Sequence, residues 1–472
     1  MRLAFCASVT GALIGGGLLA STTPSVADLV DYYDVITLYA GEHGYGGGGT
    51  DVEYYGSSGD IGGWAIATTA CNLGDTPAPW NGGTNDVPVI AQQVYRYKAG
   101  RFELIGMSWL KHSFCAVSEP GCEEIAGGNC QSTSCDTLGV GCGDTYWADL
   151  NADADAPRSE INATTGEYTY PFNLAPSGPS SIRGRLQMHP DDINPSLNAG
   201  AQYFIEGQYV EPGESVFGMQ LNNASSRAVR FTSTTNCSGL GGTVDQLPAV
   251  KRWETLDSNA TVVEILTDET GQGGEGIVNG LVHVGHAATD NGDGTWHYEF
   301  LVHNQNSHRS VGGFSVQVPD CVEISNVEYR GPVYHSGETV ANDPWTWEHS
   351  GGMLTFSTDA HSEANDGTAP ALRWATMANF RFDADAAPVM GDLAVDLWRS
   401  GPGEASHVVA ADVPDCDEEP CPEDINGDGM VNVDDVLTVI AGYGGPGGDV
   451  DGDGDTDVDD ILMVLAAFGS PC

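Results

Sequence analysis

The sequence predicts a mainly β fold: two β-sandwich or jelly-roll-like domains followed by a small α-helical tail. Three observations carry this. Glycine is abundant, at 63 of 472 residues, and Asn, Ser, Thr and Asp are plentiful, which favours short strands and many turns. Runs such as "GWAIATTACNL", "VIAQQVYRYKAGRFELIGMSWLKHSF" and "AGAQYFIEGQYV" alternate, or run apolar, with β-branched and aromatic residues. A helical apolar pattern emerges only near the end, in "VLTVIAGYG" and "ILMVLAAFG". The length corresponds to roughly two to four domains of ordinary size.

Residues 1–27 read as a secretory signal peptide. Arg2 precedes an apolar, Gly-diluted stretch that closes on small residues, with "SVA" before Asp28. The apolar run is short for a membrane anchor, and no later segment is long and apolar enough to span a bilayer. The expectation is a secreted protein, extracellular or at the cell surface, with no membrane insertion. Cysteine usage agrees. Cys6 leaves with the signal and eleven of twelve remain. Cys115, Cys122, Cys130, Cys135 and Cys142 crowd one Gly/Ser-rich loop, where disulfides are expected rather than zinc, because tidy Cys-x-x-Cys pairs are missing. Eleven is odd, so at least one thiol stays free or pairs between chains.

Residues 28–248 form the first β domain, with "YKAGRF" as a hairpin turn and long loops between strands. Residues 252–411 form the second, read as an immunoglobulin-like sandwich. There Trp296, Tyr298, Phe300 and Val302 point one way by the period of two, and "NGDG" supplies a turn. "AADVPDCDEEPCPE" reads as an acidic, Pro-bearing linker.

The formal net charge is −49, from 66 acids against 17 Lys and Arg. Such a surface repels nucleic acid and anionic lipid, so neither is expected as a partner. It suits bound cations, or salty water that screens the self-repulsion.

The tail, residues 416–472, is the most legible part. "DINGDGMVNVDDVLTVIAGYG" and "DVDGDGDTDVDDILMVLAAFG" are near copies. In the first, Asp424, Asn426, Asp428, Met430 (by its carbonyl), Asn432 and Asp435 stand at positions 1, 3, 5, 7, 9 and 12 of a loop, with Gly429 at the sharp turn. In the second the same places hold Asp449, Asp451, Asp453, Asp455 (carbonyl), Asp457 and Asp460, with Gly454 at the turn. Calcium wants six to eight oxygens, and this spacing wraps them round one point, so two Ca2+ ions are expected. Each loop is followed by one helix, and Pro420 and Pro422 prevent a helix before the first. A loop-plus-one-helix repeat used twice resembles a type I dockerin, of the cysteine-flanked kind found in exported planctomycete-type proteins. The resemblance implies a pseudo-symmetric pair that folds with calcium and docks onto a cohesin-like or cell-surface receptor. Val433 and Asp434, then Val458 and Asp459, stand where many dockerins carry Ser/Thr-type recognition residues. Cys421 and Cys472 bracket the module and could clip its ends together.

The body shows no comparable motif. A Gly-x-Ser-x-Gly elbow, His-Glu-x-x-His, a phosphate loop and a dinucleotide fingerprint are all missing from the sequence. Ser108 and His112 read as strand neighbours rather than a catalytic pair. His283, His297 and His303 lie on strands that pair, which makes a metal site conceivable; strand period puts His283 and His286 on opposite faces, which weakens it, and polar residues on the wet face of a sandwich are the ordinary reading. Glu103, Glu206, Glu211 and Glu299 are candidate carboxylates for glycoside cleavage, without an assigned role. Trp64, Trp80, Trp109, Trp147, Trp345 and Trp347 are candidates for a sugar platform, with "DPWTWEH" the best candidate for an exposed pair; core or turn packing is the ordinary alternative. The body resembles secreted planctomycete-type proteins in runs such as "YEFLVHNQNSHRSVGGFSVQVP", which supplies no site. The expectation is a non-catalytic or carbohydrate-binding body on a docking tail; the alternative is a polysaccharide-degrading hydrolase, a glycosidase of an extracellular assembly.

Overall fold

The computed structural model describes residues 31–43, 49–416 and 421–470. The expected signal peptide, residues 1–27, lies outside them. The fold is mainly β, and every ladder between its strands is antiparallel.

The first region centres on a hairpin of Val89–Lys98 and Arg101–Met107. Its turn is the expected "YKAGRF", where Ala99 and Gly100 both take positive φ, as a tight hairpin loop demands. Around it lies a nine-stranded sheet running from Asn236–Gly239 at one end to Val52–Ser58 at the other. The sheet curls until its ends meet: the Gly239 N–H donates to Thr50 Oγ1 at 2.7 Å. Alternation sorts Gln202–Val210, so that Tyr203 and Ile205 join an apolar cluster with Trp64, Ile66, Val94, Ile105 and Phe231 while Phe204 joins another. A three-stranded sheet of Val35–Ala40, Thr68–Asn72 and Gly143–Tyr146 completes the region.

The second region is a sandwich of two five-stranded sheets. Tyr298, Phe300 and Val302 enter the core between them, as the period of two requires, and Trp296 packs against it. Phe314 and Phe380 stack there with ring centroids 4.1 Å apart. The opposite face of Trp296–Asn304 is buried from Glu299 onward. Leu301 packs with Met377, Trp253 and Ala287 against Tyr95, Phe102 and Phe204 of the nine-stranded sheet. The two β regions therefore share a buried seam, with one sheet of the sandwich as its middle layer.

One boundary differs from the expectation. The final strand runs Ser406–Pro414, so "AADVP" belongs to the sandwich rather than to a linker, and the region extends past residue 411. Ala411 and Val413 are buried on that strand, and its Pro414 is tolerated because the strand is at the sheet edge. Cys416 then closes a disulfide to Cys321.

The crowded cysteine loop is cross-linked as expected, through Cys71–Cys122, Cys115–Cys135 and Cys130–Cys142. Disulfides at this density belong to an oxidising, extracellular-type compartment. Cys237 is the free thiol among the described residues. Cys421 is disulfide-bonded, while Cys472, its expected partner, lies outside the described residues. No helix among the described residues is long and apolar enough to cross a membrane.

Phe380 touches Phe314, Tyr329, Trp345 and Phe356. Phe380→Ala is expected to destabilise the body by about 3–5 kcal/mol in chemical denaturation. A loss below about 1 kcal/mol would contradict this placement of the core.

Candidate functional site

In the tail, the two aspartate loops feed the helices Val433–Gly442 and Val458–Ala466. Each helix starts with a capping box. Asn432 and Asp457 accept from the N–H of Asp434 and Asp459 at 2.8 and 2.7 Å. Asp435 and Asp460, the twelfth loop residues, return to the N–H of Asn432 and Asp457 at 2.8 and 2.7 Å. Both carboxylates are buried, and these backbone donors hold them below the usual carboxylate range. Their second oxygens reach back across the loops, Asp435 to Asn426 N and Asp460 to Val450 N and Asp451 N. Position 12 thus ties each loop to its helix.

The first loop residues are held similarly. Asp424 accepts from the N–H of Gly427, Asp428 and Gly429, and Asp449 from that of Gly454. Gly429 and Gly454 have φ of 86° and 104°, conformations that the sharp turn needs and a side chain would strain. Asp428 and the Met430 carbonyl both accept from Asn432 Nδ2. Ligand-capable oxygens of Asp449, Asp451 and Asp453 all lie within 4.8 Å of one another. Asp449 Oδ1 is buried without a hydrogen-bond partner. The hydrogen bond to Asp453 and the charges of Asp453, Asp457 and Asp449 push Asp455 up from the usual carboxylate range. No Lys or Arg follows Arg399 to offset these charges. An all-oxygen, anionic donor set with an orphaned carboxylate oxygen fits a hard divalent cation.

Val431, Val439, Val450 and Val464 form a small core between the repeats. A second apolar set turns outward. Val433, Leu437, Ile440 and Tyr443 on the first repeat are 51–57 % exposed, and Val458, Leu462, Leu465 and Phe468 on the second 50–54 % or, at Leu462, 57 %. Each member of one set stands 25 positions from its counterpart in the other.

In the body, Glu103, Glu206, Glu211 and Glu299 are at most 5 % exposed, so none lines an open cleft. Glu103 and Glu299 are clamped at the seam. Arg96, Arg330 and Arg381 hold Glu103 at 2.8, 3.2 and 3.2 Å, while Arg381, His297 and Arg101 hold Glu299 at 3.1, 3.3 and 3.5 Å. Burial opposes the charge on Glu103, yet Arg330, Arg96 and Arg381 outweigh it and bring its pKa to about 2. Glu211 is buried with neither oxygen partnered, and burial raises its pKa well above the ordinary value.

His283, His297 and His303, for which a metal site was conceivable, do not all come together. Register pairs His283 with His303 but His297 with Thr289, six residues along the ladder. His283 and His303 meet at 3.4 Å, whereas His297 is bound by Asp383 at 2.6 Å and Glu299. The histidine pair instead extends a polar chain across the seam. Buried Glu206 accepts from the Tyr95 hydroxyl at 3.1 Å, and that hydroxyl lies 3.2 Å from His303 Nε2. His283 then stands 3.8 Å from half-exposed Glu264, which pairs with Lys251 at 3.2 Å. Sequence reasoning missed this chain and the arginine clamp, because both depend on register between distant strands.

Ser108 lies between strands, with its hydroxyl buried and unpartnered, while His112 binds the Thr84 carbonyl and stacks on Tyr170. The expected "DPWTWEH" pair also fails. Trp347 is 49 % exposed, but Trp345 is buried against Tyr329 and Phe380 and donates to the Pro370 carbonyl. The strand begins at Thr346, so Trp345 precedes its alternation. Trp64, Trp80 and Trp109 are buried, and Trp147 is 43 % exposed.

No family model matches the chain, and no curated protein matches it. Among solved structures, the N-terminal domain of the Streptococcus gordonii adhesin Sgo0707 is 8 % identical, over 81 % of this chain and 92 % of that one, with a TM-score of 0.17. A likeness that weak carries nothing about fold or role.

Burial, opposed by the Ala249 N–H and the Tyr95 hydroxyl, raises Glu206 from 4.5 to about 7. The folded chain therefore binds an extra proton between those values. Stability from neutral Glu206 is full below about pH 4.5 and falls by about 3 kcal/mol as pH rises through 7. Glu206→Gln should remove that component, so its melting temperature should gain on the parent chain as pH rises from about 5 to about 8. Parallel pH profiles would contradict it.

Proposed function

We propose that this is an exported calcium-binding protein, docked through a C-terminal dockerin-like module to a cohesin-like or cell-surface receptor, with a body that binds carbohydrate. The observation that carries the docking reading is the outward apolar set. Val433, Leu437, Ile440 and Tyr443, with their counterparts Val458, Leu462, Leu465 and Phe468, contribute nothing to the tail's own core. An exposed apolar patch on so small a module is a surface for a partner. The aspartate loops supply the second half of the reading. Asp424, Asn426, Asp428, Asn432 and Asp435 would hold one ion with the Met430 carbonyl. Asp449, Asp451, Asp453, Asp457 and Asp460 would hold another with the Asp455 carbonyl. The ion supplies positive charge where this chain has none.

Binding and folding are coupled in such a site, because the carboxylates repel one another until the cation neutralises them. The signal-like leader and the disulfides support export. The hydrolase alternative has no supporting geometry, since its four candidate glutamates are buried in clamps or apolar surroundings.

Calorimetric titration of the full chain with calcium is expected to show two high-affinity ions. Asp424→Ala and Asp449→Ala should each remove one, and a chelator should abolish the helical signal of the tail in circular dichroism. Absence of high-affinity uptake, or uptake unchanged in both variants, would overturn the reading.

A further inference from the structure

We propose that Trp147 and the carboxylate-lined depression beside it bind a neutral polysaccharide. The inference rests on the carbohydrate-binding reading of the body and gives it a place and a ligand class. Trp147 follows directly on the strand Gly143–Tyr146 and is 43 % exposed. An exposed indole offers an apolar face on which a ligand can stack.

The backbone that presents it is pinned on both sides. The Trp147 carbonyl accepts from Asn151 N at 3.0 Å. Asn151 is wholly buried, and its side chain donates to the Ile66 carbonyl at 2.9 Å and to Thr68 Oγ1 at 3.0 Å. Its own carbonyl accepts from Gln92 Nε2 at 3.1 Å. From the other side, Asp51 Oδ2 accepts from Ala148 N at 3.3 Å. The His43 ring leans on the indole, with centroids 4.3 Å apart. A platform held this way loses little entropy when a ligand lands on it.

A depression of about 390 Å³ opens beside the indole, lined by His43, Thr50, Asp51, Glu53, Trp147 and Asp149. Glu53 is fixed by the Tyr55 hydroxyl at 2.7 Å, and Tyr55 in turn lies under the Arg185 guanidinium at 4.4 Å. An aromatic face beside fixed carboxylates is what a pyranose asks for: its C–H face stacks on the ring, and its hydroxyls donate to the oxygens.

Charge selects the class. Uronate or sulfated chains would meet three carboxylates on a protein of net charge −49. A cation is a poorer occupant, because Asp51, Glu53 and Asp149 do not converge. The one acidic trio that does among the described residues is Asp449, Asp451 and Asp453. Trp347, the other half-exposed tryptophan of the body, lies on an edge strand.

The test is affinity electrophoresis of the full-length protein in gels containing mixed-linkage β-glucan, xylan or galactomannan, with alginate and carrageenan as anionic counterparts. At least one neutral polymer should retard the protein and neither anionic one should. Trp147→Ala should weaken that retention at least about tenfold. Trp147→Phe should keep part of it, and Trp347→Ala all of it. Chelating calcium should leave it unchanged. Retention that survives Trp147→Ala would overturn this site while sparing the carbohydrate reading. Failure of every neutral polymer to retain the protein would end both, and retention by the anionic polymers would overturn the charge argument.

Discussion

The scarcity of positive charge governs this molecule. Seventeen Lys and Arg face 66 acids, so where each cation sits decides which acids can be buried. Four arginines, Arg96, Arg101, Arg330 and Arg381, converge on Glu103 and Glu299 at the seam between the β regions. Buried carboxylates left without such partners would be uncompensated charges in a low-dielectric interior. Glu206 and Glu211 lack a cation in contact, and burial pushes both toward the neutral acid. The tail lies beyond the last arginine altogether. Its carboxylates turn to backbone N–H groups and, at Asp428, to the Asn432 amide, and in the proposed reading calcium supplies the missing charge.

The same accounting separates the two halves of the protein. In the body, apolar packing in three stacked sheets leaves polar chemistry to the seam. There a chain of hydrogen-bonding groups runs from Glu206 through Tyr95 and His303 to His283. In the tail the core is four valines with a few half-buried neighbours, and in the proposed reading it is too small to overcome the mutual repulsion of the loop aspartates unaided. In the proposed reading the outward-facing apolar residues on that tail are covered by a receptor.

Legibility followed the range of each interaction. Local patterns were readable: the turn at Ala99 and Gly100, the inward set Tyr298, Phe300 and Val302, and the cross-linking of the cysteine loop. Long-range register was not. Nothing near His297 in the chain says that it will face Asp383 rather than His283. Arg96 and Arg381 are nearly three hundred positions apart yet hold the same carboxylate. Element ends misled as well. Trp345 stands one residue before its strand and turns inward, and Pro414 disguised the end of an edge strand as a linker. For the candidate sites, the aspartate repeat was visible in the spacing alone. The surroundings of Trp147 were not, since they bring His43, Thr50, Asp51 and Glu53 against Trp147 and Asp149.

Amide hydrogen exchange of the full chain, followed by mass spectrometry with and without calcium, tests the central claim most directly. With the ion, the account predicts slow exchange across residues 431–466; after chelation it predicts near-complete exchange there within the shortest labelling time, while the seam strands Val89–Lys98 and Trp296–Asn304 stay protected. Protection of both tail helices that persists undiminished in chelator would contradict it.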